Sequence, residues 1–268
     1  MSNLKYAFIG GGNMAEGIIR GMVADEHFDP QQIHVFDVAT ARVEYLSREY
    51  GIIGETSMES VGKDARVMFF CIQPYAAEAV AAQVKPHLPM DCVFVPVCAN
   101  VTIETFERVL GAEHKIVRIM PNTLTQTHHG VSAMCPNANV TAEDSENVVT
   151  ALNAIGSTIA IQENMFNAFT AYSCTGPCYL YIVINAMIDA GVRAGFTRAE
   201  SRQMTIENVL GSALKLEMSG LHPYQILDTM SCPAGTGIEA IYTMEKEGVY
   251  GSVMRAVEAT CRHADEIG

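Results

Sequence analysis

The stretch Phe8-Ile9-Gly10-Gly11-Gly12-Asn13-Met14-Ala15 decides how this chain is read. Ahead of it, Leu4 to Ile9 is a short apolar run broken only by Lys5, the pattern of a buried strand. Behind it, residues 14–24 have helical character and end near Asp25. The junction carries G-x-G-x-x-A at positions 10, 12 and 15. Gly10 suits a tight turn, Gly12 lets backbone amides approach a pyrophosphate, and Ala15 allows close helix–strand packing. Asn13 and Met14 open a helix whose N-terminus favours negative charge. A glycine-rich turn with no ligand explains the pattern less well, because the motif sits at the first strand–turn–helix and an acid closes the next strand.

That acid is Asp37, after the strand Ile33-His-Val-Phe36. A carboxylate there accepts hydrogen bonds from adenosine ribose hydroxyls and repels a 2′-phosphate. No Arg or Lys follows before Arg42, so the expected coenzyme is NADH rather than NADPH; an Asp37 that merely caps the next helix would be silent on this. Further along, helix 40–50 stops at Gly51, and strand 65–72 ends at Gln73-Pro74. Helix 75–85, strand 92–98 (shortened by Pro96) and helix 102–110 behind Thr102 follow. Next come strand 115–120, a possible strand 131–135, helix 142–155 and a last strand at 157–161. This alternation predicts an α/β domain, a Rossmann parallel sheet with helices on both faces. Ile72, Gln73, Pro74, Asn100 and Asn122 follow carboxyl ends of strands, where open sheets bind ligands. They are the remaining cofactor candidates, with ordinary turn chemistry as the alternative.

After residue 163 the strand signal vanishes. Long helical patterns fill 164–215, Pro223 starts another helix, and 237–247 and 250–266 are helical too. The expected domains are 1–162, dinucleotide-binding, and 163–268, all-helical. Tyr179-Leu-Tyr-Ile-Val-Ile-Asn-Ala-Met-Ile188 is apolar nearly all round, which demands cover on every side. In a small helical domain that cover is a second subunit, so a homodimer is expected.

Composition narrows the partners. The net charge is −13 with no basic stripe, which argues against nucleic acid. No run of 18 apolar residues suggests a membrane span, and no basic leader with an apolar core precedes the first strand, so a cytoplasmic chain is expected. The 8 cysteines are scattered through a large apolar chain and read as reduced, mostly buried thiols. Cys174, Cys178 and Cys232 lack the C-x-x-C spacing of a metal site, so no metal is expected. His128-His129 reads as loop surface or a pocket rim. His222 reads as turn packing, with a general-acid role the lesser alternative.

Several motifs together resemble the pyrroline-5-carboxylate reductase family. They are the glycine motif with Asn13-Met14, the run Arg118-Ile-Met-Pro-Asn-Thr123, and Gly176-Pro-x-Tyr179. Ser219-Gly-x-His-Pro223, Pro233-x-Gly-Thr236 and Met244-Glu-x-x-Gly248 add to the match. The resemblance spans essentially the whole chain. It implies a Rossmann domain followed by a helical domain that interlocks in a dimer, sometimes assembled into rings of dimers. It also implies reduction of 1-pyrroline-5-carboxylate to L-proline by hydride from NADPH or NADH. By the same resemblance, 231–237 (Cys232, Pro233, Ala234, Gly235, Thr236 and Gly237) cradles the substrate carboxylate, and 172–179 (Ser173, Cys174, Thr175 and Tyr179) lines the same pocket. Thr236 and Thr175 are the candidate catalytic hydroxyls.

The departures cluster at these motifs. Family members read Ser-Pro-Gly-Gly-Thr-Thr where this chain has Cys232-Pro-Ala234-Gly-Thr236-Gly237, so the threonine implied to hydrogen-bond the ring nitrogen falls on a glycine. Ser-Gly-Ser-Gly-Pro-Ala-Tyr becomes Ser173-Cys174-Thr175-Gly-Pro-Cys178-Tyr179. Val-Lys-Pro becomes Ile72-Gln73-Pro74, and Ala-Ala-Gly-Val-Thr becomes Cys98-Ala-Asn100-Val-Thr102. The expected activity is therefore pyrroline-5-carboxylate reduction. A paralogue acting on another cyclic imine or amino-acid-derived substrate is the alternative, and a non-catalytic NAD-binding assembly protein is the reading from another class.

Overall fold

The computed structural model describes residues 4–267; Met1–Asn3 and Gly268, the ends of the two expected domains, lie outside them. The first unit carries one eight-stranded sheet: β1 (Lys5–Ile9), β2 (Ile33–Phe36), β3 (Ile53–Gly54), β4 (Ala65–Phe70), β5 (Val93–Pro96), β6 (Lys115–Pro121), β7 (Gly130–Pro136) and β8 (Gly156–Ala160). Their spatial order is β3-β2-β1-β4-β5-β6-β7-β8. The first six strands thus follow the doubly wound dinucleotide-binding order, which reverses between β1 and β4. Helices α1 (Asn13–Ala24), α2 (Thr40–Tyr50), α3 (Met58–Gly62), α4 (Ala77–Val84) and α5 (Ile103–Leu110) make the crossovers, and α6 (Ala142–Asn153) joins β7 to β8.

Strand alternation divides the core into two layers. Tyr6 and Phe8 pack with Ile18, Ile19 and Met22 of α1, Leu46 of α2 and Leu152 of α6. Ala7 and Ile9 pack on the other face with Ala81 of α4 and Phe106 of α5. Phe8 stacks on Phe69 with ring centroids 4.8 Å apart. Each such fully buried side chain contributes roughly 1.5–3 kcal/mol.

The sheet differs from a wholly parallel one at a single pairing, for β6 and β7 run antiparallel. Only a short 3-10 turn, Thr123–Thr127, lies between them. Residues 122–129 are too few for the crossover a parallel neighbour requires. The small elements β3 and α3 were not expected from the sequence.

The chain packs as two units that divide between Cys174 and Thr175, whereas the expected domain boundary lay at 162/163. The segment between stays with the sheet. Phe166 and Phe169 of α7 (Phe166–Phe169) bury against Met120 and Ala133, and a five-residue π turn, Thr170–Cys174, ends the unit.

The second unit consists of α8 (Gly176–Arg193), α9 (Arg198–Ser219), α10 (Pro223–Thr229), α11 (Thr236–Lys246) and α12 (Val249–Ile267). Its helix ends are well specified. Thr197 and Glu200 form a capping box on α9, Gly220 ends that helix in the left-handed region, and His222 with Gln225 caps α10 ahead of Pro223. Yet among its described residues only Pro177, Ser201 and Thr205 are buried. Leu180, Tyr181, Ile182, Leu210, Tyr242 and Met254 all face outward. A helical unit with no buried large apolar side chain cannot be held by its own burial. No described helix is long and apolar enough to cross a membrane.

Candidate functional site

The glycine turn at the end of β1 is built for close approach. Gly10 has φ +90°, and a Cβ there would lie 2.6 Å from the Cys71 carbonyl oxygen. Its amide donates to the Phe36 carbonyl at 2.8 Å, drawing the ends of β1 and β2 together. A Cβ on Gly11 would meet the Leu46 side chain at 2.9 Å. Gly12 is the exception: it is exposed, and a Cβ there would meet nothing within 4 Å. The fold therefore does not require glycine at 12, whereas a ligand approaching the backbone does. Gly12 also serves as the N-cap of α1 without a side-chain cap bond. The first amides of α1, from Asn13 and Met14 onward, thus have no capping oxygen and suit an anionic pyrophosphate. Ala15 is fully buried where α1 meets the sheet.

Asp37 stands beside this turn. Its Oδ2 accepts the Gly11 amide at 2.7 Å and its Oδ1 accepts the Ala39 amide at 2.8 Å. It therefore braces the turn while staying half-exposed. Arg42 donates from Nε to the Gly11 carbonyl and ion-pairs with Glu16. Neither Glu16 nor Arg42 was a sequence candidate, because they meet across two helices and no local motif links them.

At the end of β4, Ile72 is half-buried and Gln73 and Pro74 are exposed. The Ile72 carbonyl accepts the Cys98 thiol at 3.2 Å, and burial pushes the Cys98 thiol up to about 11. Asn100, after β5, is exposed with φ +59°, a conformation that asparagine tolerates better than most residues. Asn122, after β6, is turned inward and only 4% exposed. Its Oδ1 accepts the Leu124 and Val131 amides at 3.1 and 3.2 Å, and its Nδ2 donates to Ser173 Oγ at 3.4 Å. Cys174 contacts the Pro121 carbonyl at 3.9 Å, and burial raises its thiol to about 11. Ser173 and Cys174 are thereby fastened to the first unit. The neighbouring Arg118 is buried, donates to Glu163 at 2.9 Å and lies over the Phe166 ring at 4.3 Å.

The other candidates lie in the second unit. Thr175 is the N-cap of α8, and Tyr179, one turn in, donates its hydroxyl to Thr260 of α12 at 2.8 Å. The loop before α11 carries Cys232, Pro233, Ala234 and Gly235. Ala234 has φ +57°, and the Gly235 amide donates to the Cys232 carbonyl at 2.9 Å. Gly235 caps α11 with no side-chain bond, so the first amides of α11, from Thr236 and Gly237, have no capping oxygen. A Cβ on Gly237 would lie 2.4 Å from the Met230 carbonyl oxygen. The loop thus has no room for a side chain where family members carry threonine. Cys178 and Cys232 are exposed, contrary to the expectation of mostly buried thiols, because the second unit has almost no interior of its own; all 8 cysteines are free. Among the described residues no cluster of three or more His, Cys, Asp or Glu could hold a metal. His222 accepts the Tyr224 amide and stacks on that ring, and exposed His128 contacts the Ala154 carbonyl at 3.0 Å.

Comparison with known proteins agrees with this layout. The profile described as "Pyrroline-5-carboxylate reductase dimerisation" matches residues 163–267, and that described as "NADP oxidoreductase coenzyme F420-dependent" matches residues 5–100. The chain is 32% identical to pyrroline-5-carboxylate reductase of Escherichia coli, over 98% of each chain. It is 27% identical to a Plasmodium falciparum pyrroline carboxylate reductase solved with NADP bound, with a TM-score of 0.86 over 100% of this chain and 99% of that one. A pyrroline-5-carboxylate reductase structure from Coxiella burnetii shares the fold at a TM-score of 0.94, with 24% identity over 100% and 99% of the chains. An NAD(P)H-dependent oxidoreductase fold, the whole-length match and the ordered motifs lead to one conclusion: this chain belongs to the pyrroline-5-carboxylate reductase family.

Proposed function

We propose that the chain reduces 1-pyrroline-5-carboxylate to L-proline in the cytoplasm, as a homodimer, with NADH as the favoured coenzyme. The observation that carries this reading is a shared feature of two helices. α1 and α11 each begin at a glycine, Gly12 and Gly235, with no side-chain cap. Such helix starts hold anions through free amides. The reaction needs two: a pyrophosphate for the coenzyme and a carboxylate for the substrate.

A bound reduced nicotinamide supplies the hydride that adds to the imine carbon. The chain's own residues do the rest. The amides from Thr236 onward and the Thr236 hydroxyl hold the carboxylate and fix which face of the ring is presented. The imine nitrogen gains a proton, and Thr175 is the hydroxyl candidate nearest in the family pattern to assist that transfer. Asp37 receives the adenosine ribose hydroxyls and disfavours a 2′-phosphate. Dimerisation covers the apolar faces of the second unit.

A second reading rests on Gly237. With no hydroxyl at that position and no room for one, a related cyclic imine whose nitrogen needs less assistance is an alternative substrate. Absorbance at 340 nm tests both readings, using the purified chain with racemic pyrroline-5-carboxylate or the six-membered imine and with NADH or NADPH. Rapid NADH oxidation with the five-membered imine supports the proposal. Rapid oxidation with the six-membered imine alone moves the assignment to the second reading.

A further inference from the structure

The site leaves unexplained a cluster around Glu16. One carboxylate oxygen of Glu16 pairs with Arg42 Nη2, and the other accepts the Tyr50 and Tyr45 hydroxyls at 2.8 and 3.2 Å. Arg42 Cζ lies 5.1 Å from the Tyr45 ring centroid. Burial works against ionising Glu16, but Arg42 and the two tyrosines outweigh it and hold the carboxyl below its ordinary range. Burial and the Glu16 carboxylate push the Tyr50 hydroxyl up to about 12. Three side chains from α1 and α2, Glu16 directly and Tyr45 and Tyr50 around it, thus fix the Arg42 guanidinium against the Gly11 carbonyl. Gly11 is gripped at both ends, its amide by Asp37 and its carbonyl by Arg42.

The charges matter for what the turn accepts. Arg42 is the first cation in the sequence after β2, where an arginine commonly accommodates a 2′-phosphate. Here its ion pair is with Glu16. Asp37 is bonded to two backbone amides, neither of which carries a compensating charge.

Resting on the dinucleotide reading above, we infer that Glu16 is a specificity-determining positioning residue: by holding Arg42 in an ion pair against the Gly11 carbonyl, it withholds the cation that a 2′-phosphate needs. The adenosine ribose then meets Asp37 uncompensated. Without the Glu16 charge, the same guanidinium becomes available to the phosphate while the Asp37 brace remains.

The test is calorimetric binding of ADP-ribose and 2′-phospho-ADP-ribose to the full chain and to Glu16→Gln, Arg42→Gln and the double variant. Glu16→Gln is expected to tighten the 2′-phosphorylated ligand about fivefold to tenfold and to leave the other within about twofold. The gain is expected to vanish in the double variant. Arg42→Gln alone is expected to leave the ratio of the two affinities unchanged, which keeps the inference testable if Glu16→Gln misfolds. Equal weakening of both ligands by Glu16→Gln, or a selective loss of the phosphorylated ligand in Arg42→Gln, overturns it. A wild-type chain that binds neither ligand overturns the dinucleotide reading itself.

Discussion

A Cβ on Gly10 would lie 2.6 Å from the carbonyl oxygen of Cys71, so β1 and β4 can close on one another only because that atom is absent. Gly12, two residues on, meets no such neighbour. The two glycines should therefore separate in experiment. Gly10→Ala adds a backbone clash to a φ of +90° and is expected to cost about 2 kcal/mol or more in chemical unfolding. Gly12→Ala is expected to cost at most about 1 kcal/mol, the difference between glycine and alanine at an N-cap. It should still weaken dinucleotide binding about tenfold or more, because the new methyl takes the room the pyrophosphate needs.

The loop before α11, proposed to hold the substrate, carries two constrained positions. Ala234 sits at φ +57°, and Gly237 packs against the Met230 carbonyl. Gly237→Thr alone is expected to lower both the unfolding midpoint and the rate of imine reduction, since its Cβ would lie 2.4 Å from a backbone oxygen. Ala234→Gly relieves left-handed strain of about 1 kcal/mol and lets the loop shift. The double variant should recover more activity than the two single effects predict when added. Strict additivity in unfolding and steady-state kinetics would count against a coupled loop.

Much of this arrangement is written locally, and some is not. The strand Ala65–Phe70 is apolar apart from Arg66 and Gly51 ends α2 in the left-handed region, so both are readable as patterns. Thr102 caps α5 as its spacing implies. By contrast, β3 is only two residues long, too short for any periodicity. The reversed direction of β7 lies in the length of a connection, not in the strand's composition. Glu16 meets Tyr45 and Tyr50 only once α1 and α2 are laid side by side. The crowding at Gly237 depends on where the Met230 carbonyl falls, which no motif records.

Acid should loosen the first unit through Asp144. This carboxylate caps α6 with Thr141 and pairs with Lys115 at 2.8 Å. Burial opposes its ionisation, but Lys115 and the Thr141 donors outweigh it, and its pKa falls below the ordinary 3.8. The folded state therefore holds this proton less readily than the unfolded chain. The stability it contributes is complete above the unfolded value and is lost as pH falls through the lower folded value. Asp144→Asn is expected to cost roughly 1–2 kcal/mol at pH 7 and less as pH drops below about 4. Urea unfolding at several pH values checks this, and a penalty independent of pH would contradict it.

Assembly supplies the last test. Ile182 is 72% exposed on α8, beside outward-facing Tyr181 and Val183. A unit whose large apolar side chains are so exposed calls for a cover, and the proposed homodimer supplies it with a second copy. Ile182→Glu places a charge in that cover, where an unpaired buried carboxylate costs several kcal/mol. The variant is expected to shift the chain from dimer to monomer in sedimentation velocity. Because the second unit has so little burial of its own, the monomer should also lose helical circular dichroism while the sheet unit keeps its cooperative unfolding. If Ile182→Glu sediments as the parent chain does, the dimer face lies elsewhere than on this part of α8.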